Sequence, residues 1–123
     1  MPQARLEHVN LTVSDNQRSA RLLQDLTGWS IRWRGPTSQG GETIHLGSAD
    51  AYLALYQDGG DHSGQAKGRP LNHVGLLVDD LAAAQRNVIA HGLEPFGYGD
   101  YEPGQRFYFF DWDRIEFEVI SYA

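Results

Sequence analysis

Two ten-residue stretches of this chain are close copies. Residues 6–15 read LEHVNLTVSD and residues 71–80 read LNHVGLLVDD; Leu, His, Val, Leu, Val and Asp recur at six of ten aligned places, 65 residues apart. An internal repeat is a strong constraint on a fold, because each copy must form the same supersecondary unit and bury its apolar face against a neighbour. The histidine is kept in both copies, at His8 and His73.

The likeness extends beyond each copy. Residues 16–27 carry Leu22, Leu23 and Leu26 at helical spacing, and residues 81–91 do the same with Leu81, Ala84, Val88 and Ile89. Asp15 and Asp80 stand where an N-cap belongs, and Gly28 and Gly92 stand where a left-handed C-cap is wanted. Three strand-like runs come next in each half: 29–35, 42–48 and 51–57 in the first, and 93–99, 105–111 and 114–121 in the second. Each half therefore reads β-α-β-β-β. The expected organisation is a single domain over 1–123, with a first module at 5–57, a polar, glycine-rich linker at 58–70 and a second module at 71–122. The fold class is α+β. Each module has one sheet face under its helix and one left open, and two open faces can pair or curl around a shared cavity.

Composition narrows the function. With 123 residues, 41% of them hydrophobic, the chain can build a core. It has no cysteine, which excludes disulfides, iron–sulfur clusters, zinc fingers and thiol nucleophiles, and fits a reducing, cytoplasmic setting. The net charge is −6 with no basic block, so neither nucleic acid nor an anionic membrane is expected as a partner. No apolar run approaches the roughly 20 residues of a membrane span, and the first residues do not read as a signal peptide.

Side chains alternate across a strand, so the apolar residues mark the helix side. In the first strand Val9, Leu11 and Val13 share that side, which sends His8, Asn10 and Thr12 to the open face. In the repeat, Val74, Leu76 and Val78 are apolar, and His73 goes to the open face. In the final strand Ile115, Phe117 and Val119 leave Glu116 and Glu118 opposite. Two histidines in equivalent places and at least one carboxylate are the donor types of a two-histidine, one-carboxylate metal site with open positions. Such a set suits Fe, Mn, Ni, Co or Zn.

Taken together, LEHVNLTVSD, LNHVGLLVDDL and RFYFFDWDRIEFEVIS resemble the vicinal oxygen chelate superfamily over nearly the whole chain. That group includes glyoxalase I, extradiol dioxygenases, fosfomycin-resistance thiol transferases and bleomycin-binding proteins. The resemblance implies paired β-α-β-β-β modules forming a curved mixed sheet around a central cavity, with metal ligands on the first and last strands of each module. It assigns His8, His73 and Glu118 as ligands, and leaves Ala54 where glyoxalase I commonly has a fourth. It further implies a pocket lined by Asn10, Thr12, Tyr52, Ala54 and Tyr56, and a catalytic Tyr108 that hydrogen-bonds or protonates an anionic substrate oxygen. His45 is a candidate base of the extradiol kind, and Glu116 is expected to be solvated. Because Arg114 replaces the usual turn glycine, the start of the last strand is expected to shift.

The resemblance leaves two functions open. One is a divalent-metal enzyme acting on a small, oxygen-rich, metal-chelated substrate with dioxygenase, lyase or isomerase chemistry. The other is a metal-free protein that sequesters an antibiotic, as bleomycin-binding proteins do. Fosfomycin modification is not expected, because Asn10 stands where those enzymes carry threonine and the chain stops at Ala123 before their basic phosphonate contacts. The resemblance also implies a homodimer, without saying whether one site uses one chain or two.

Overall fold

In the computed structural model, residues 3–38, 40–64, 71–101 and 104–122 are described. The order is β1 (His8–Thr12), α1 (Asn16–Thr27), β2 (Ser30–Pro36), β3 (Glu42–Gly47), β4 (Tyr52–Gln57), β5 (Val74–Leu77), α2 (Leu81–Ala90), β6 (Phe96–Tyr101), β7 (Gly104–Phe110) and β8 (Glu116–Ser121). This is an α+β fold of two paired modules. Each contributes a four-stranded mixed sheet, β1-β4-β3-β2 and β5-β8-β7-β6. The first strand of each module runs parallel to the last, and the others are antiparallel. Of the expected linker, the structure describes residues 58–64; the remainder lies outside the described residues.

The helices start and stop as their caps dictate. The Asp15 carboxylate accepts from Arg18 N–H at 3.1 Å, and Asp80 accepts from Ala83 N–H at 3.0 Å. Gly28 (φ 74) ends α1 in the left-handed region, and Gly92 (φ 80) comes after the last turn of α2 in the same conformation.

The second strand of module two begins three residues later than the sequence suggested. Pro95 has no N–H to give a ladder, and Leu93 N–H instead closes the helix end on Val88 O at 3.2 Å. Pairing therefore begins at Phe96, with an irregularity before Gly99. The last strand starts at Glu116 because Arg114 takes a left-handed conformation, φ 62, in the turn before it. Asp111 shapes that turn by accepting from both Asp113 and Ile115 N–H at 2.9 Å.

The helix-covered faces of the two sheets meet across one core. Leu11, Val13, Leu22, Leu23, Leu53 and Leu55 of module one join Leu76, Val88, Phe107, Phe109, Phe117 and Val119 of module two. Polar ties cross the same seam. Asp113 accepts from Ser14, Asn87 donates to Asp25 O at 2.9 Å, and the His91 ring meets the Asp25 carboxylate at 2.7 Å. The Arg18 guanidinium lies 4.4 Å over the Trp112 ring. The two open sheet faces consequently point away from the seam.

Candidate functional site

Register places the open faces residue by residue. In the first sheet His8 pairs with Tyr52, Asn10 with Ala54 and Thr12 with Tyr56, while His45 sits opposite Ala54 and Trp33 opposite His45. The rings form a ladder. His8 stacks on Tyr52 at 4.9 Å, Tyr52 on His45 at 4.5 Å, and His45 tilts against Trp33 at 5.2 Å. Arg32 lies 4.6 Å over the Tyr52 ring. Burial, and then the neighbouring His8 and Arg32, hold the His45 imidazole below its ordinary value, which favours the neutral ring. Ala54 lies in the middle of this face but is only 2% exposed, so its neighbours close over it.

In the second sheet Glu118 pairs with Gly75 on one side and Tyr108 on the other. His73 immediately precedes β5, and its Nε2 lies 3.0 Å from Glu118 Oε1. Tyr108 presents its ring edge-on to His73 at 5.9 Å. Burial, and then the Glu118 carboxylate, push the Tyr108 hydroxyl above its ordinary value, so the phenol keeps its proton and can donate it. Nothing would lie within 4 Å of a Cβ on Gly75, which leaves open space beside Glu118.

The two histidines are built alike. The residue before each one engages Nδ1: Glu7 Oε1 lies 2.9 Å from His8 Nδ1, and Asn72 Oδ1 lies 2.8 Å from His73 Nδ1. An imidazole that donates from Nδ1 keeps its Nε2 lone pair for a cation, the usual arrangement behind a metal-bound histidine. His73 Nε2 meets Glu118 Oε1 at 3.0 Å, a hydrogen bond when the ring carries its proton on Nε2 and a pair of ligand atoms facing one cation when it does not. Two donors each about 2.1 Å from one cation and at right angles to each other lie about 3.0 Å apart. His73 and Glu118 therefore fit a transition-metal ion as two of its ligands.

His8 does not join them within the chain. It stands on the other open face, and no group of three or more His, Asp or Glu side chains among the described residues is placed to hold one metal ion. Of the residues singled out in the sequence, the structure thus gathers His73, Glu118 and Tyr108 on one face. It gathers His8, Asn10, Thr12, Tyr52, Ala54 and Tyr56 on the other.

The model of the glyoxalase/bleomycin resistance protein/dioxygenase superfamily matches residues 5–119. The chain belongs to that superfamily. Among solved structures, this superfamily member is similar to a glyoxylase/bleomycin resistance protein/dioxygenase domain from Frankia sp. EAN1pec. The two share 23% identity and a TM-score of 0.81, with 98% of each chain covered. It is also similar to the fosfomycin resistance protein FosX from Mesorhizobium loti, at 21% identity and a TM-score of 0.72 over 98% of this chain and 93% of that one. A third similar structure is an E126Q mutant of FosX from Listeria monocytogenes, complexed with Mn(II) and 1S,2S-dihydroxypropylphosphonic acid. It has 20% identity and a TM-score of 0.73 over 96% and 92% of the two chains. At these identities the likeness is one of fold. No curated protein matches the sequence. Among the described residues no helix is long and apolar enough to cross a membrane.

Two residues of this superfamily member escaped the sequence reading. Glu116, expected to be solvated, is 8% exposed, with Oε2 3.8 Å from His73 Nδ1; Phe110 pairs with it across the ladder and helps cover it. Arg106 is also 8% exposed, and its Nη1 donates to Glu118 Oε2 at 2.8 Å. Its signal was in the sequence. Arg106, Tyr108 and Phe110 alternate along β7, so a charged residue shares the Tyr108 face within an otherwise aromatic run.

Proposed function

We propose that this superfamily member is a divalent-metal enzyme acting on a small oxygen-rich substrate, and that its centre is completed between two copies of the chain. The observation that carries the proposal is the pairing of His73 Nε2 with Glu118 Oε1 at 3.0 Å, flanked by the protonated Tyr108. His73 and Glu118 of one copy and His8 of the other would hold the ion. Each outward-facing histidine has its Nδ1 engaged, which leaves Nε2 as the donor. The ion would be Fe, Mn, Ni, Co or Zn, and the Mn(II) complex of FosX supports a divalent metal in this fold. When bound, it would act as a Lewis acid on two adjacent substrate oxygens. The reaction is of dioxygenase, lyase or isomerase type.

The protein's own side chains then have definite work. Tyr108 donates its hydroxyl proton to a substrate oxygen that gains negative charge. Asn10, Thr12, Tyr52 and Tyr56 line the opposite wall, with the covered Ala54 beneath them, and the neutral His45 can take up a proton there. The dimer is supported by the apolar surface the chain leaves out, with Trp33 49%, Phe96 38% and Leu77 62% exposed on the open faces. The chain acts as one domain with modules at 5–57 and 71–122 joined by the linker 58–70, in the cytoplasm.

The aromatic ladder from His8 to Trp33 favours a second reading, a metal-free groove that sequesters a planar antibiotic. Elemental analysis of protein purified without chelator, with thermal shifts across Mn, Fe, Co, Ni and Zn, separates the two. The enzyme reading expects one ion per chain and a rise in melting temperature with metal concentration. Well-folded dimer that ignores all five ions would sink it in favour of the groove.

A further inference from the structure

Arg106 stands in the middle of β7 with more than nine-tenths of its surface covered. Its guanidinium is tied on several sides. Nη1 donates to Glu118 Oε2 at 2.8 Å, and Nη2 donates to the carbonyl oxygens of Tyr101 at 3.3 Å and Gly104 at 3.2 Å. The Tyr101 ring lies 4.2 Å beneath the guanidinium carbon. Gly99, opposite Arg106 in the ladder, makes room for this stack, since a Cβ there would meet the Tyr101 ring at 2.6 Å. The guanidinium is therefore held flat and in one place. Among the described residues its buried Nε has no hydrogen-bond partner.

We infer that Arg106 is the positioning residue for Glu118: it occupies one carboxylate oxygen and leaves Oε1, the oxygen beside His73 Nε2, as the one Glu118 offers to a cation. This rests on the metal reading above. A fixed single-oxygen donor beside two imidazoles suits an ion that accepts nitrogen ligands and needs few ligands in all. It disfavours Ca²⁺, which takes six to eight oxygens and often both oxygens of a carboxylate. Arg106 thereby contributes to which ion the site accepts, without touching the ion. A guanidinium does this better than an ammonium, because its planar fork reaches Glu118 and the two carbonyls together.

The test is titration of the protein with Co²⁺ and with Ca²⁺, following the visible absorption of bound Co²⁺ and the heat of binding. In Arg106→Met the freed carboxylate should turn. Co²⁺ affinity should fall roughly ten-fold or more, the Co²⁺ spectrum should change shape, and the preference for Co²⁺ over Ca²⁺ should narrow. Arg106→Lys keeps the charge without the fork and should remain impaired. Tyr101→Leu removes the exposed ring under the guanidinium together with its hydroxyl contact to Tyr108, and Tyr101→Phe removes the hydroxyl contact alone. The leucine variant should lower affinity a few-fold beyond the phenylalanine one, which keeps the test sound if Arg106→Met does not fold. Unchanged affinity and spectrum in the Arg106 and Tyr101 variants, or full recovery by lysine, would overturn the inference. Wild-type protein that binds no Co²⁺ would overturn the metal reading itself, and this inference with it.

Discussion

Asp113 and Ser14 are 99 residues apart in sequence, yet the Asp113 carboxylate, 1% exposed, accepts from both the backbone N–H of Ser14, at 3.0 Å, and its hydroxyl. One acid at the β7–β8 turn thus fastens module two to the end of β1 in module one. The Ser14 hydroxyl in turn accepts from His62 N–H at 2.8 Å, so the first part of the inter-module segment is tied to the same point.

Removing that acid should loosen the pairing of the modules. Asp113→Ala leaves a partly buried N–H and a hydroxyl without their charged acceptor and should cost on the order of 3 kcal/mol. Ser14→Ala removes only the hydroxyl and should cost about 1 kcal/mol. Urea denaturation of both variants and of the double variant measures the coupling. Strict additivity would show that the two groups do not act together.

Asp111, two residues earlier, is a buried carboxyl. Burial pushes it up from 3.8 to about 6, opposed by the backbone N–H groups of Ile115 and Asp113 and reinforced by the Asp113 carboxylate. Because the folded value lies above the unfolded one, its contribution to stability is fully present below about pH 4 and is lost as pH rises through about 6. The loss is at most about 3 kcal/mol. Both N–H groups bond to Oδ1, which asparagine keeps, so Asp111→Asn should hold the turn without the charge. Denaturation curves at intervals from pH 4 to 7 should show the variant gaining on the wild type as pH rises. Parallel pH profiles would contradict the assignment.

Arg114 takes a left-handed conformation while its guanidinium lies 5.1 Å over the Phe110 ring. A β-branched residue there should suffer most and glycine least. Arg114→Val should be less stable than Arg114→Gly by about 1–2 kcal/mol, read from their thermal midpoints. Equal stability would mean that the turn relaxes out of the left-handed region.

The separation of His8 from His73 and Glu118 makes the proposed two-chain centre testable by mixing. His8→Ala and Glu118→Ala should each bind little metal alone. Refolded together, they should recover about one quarter of wild-type capacity, since random pairing makes half the dimers mixed and each mixed dimer keeps one of two sites. Metal content and sedimentation of the mixture read this directly. No recovery in a mixture shown to contain mixed dimers would rule out ligands drawn from two chains.

Local rules carried far in this chain. The repeat, the aspartate caps, the glycines after both helices and the strained turn at Arg114 all depend on a few neighbouring residues, and so were legible in the sequence. The period of two along each strand also showed which side of its own sheet His8, His73 and Glu118 occupy. Alternation is silent about anything beyond one sheet. Only the tertiary structure decided that the modules join through their helix-covered faces, because the best-matched apolar surfaces, from Leu22 and Leu23 to Phe107 and Phe117, lie on that side. That choice turns the open faces outward and parts His8 from the other two. It also took the packed ladder to show that Arg106 reaches Glu118 and that Glu116 is covered. Which long side chains meet across strands depends on register and neighbouring bulk, and no single stretch of sequence contains either.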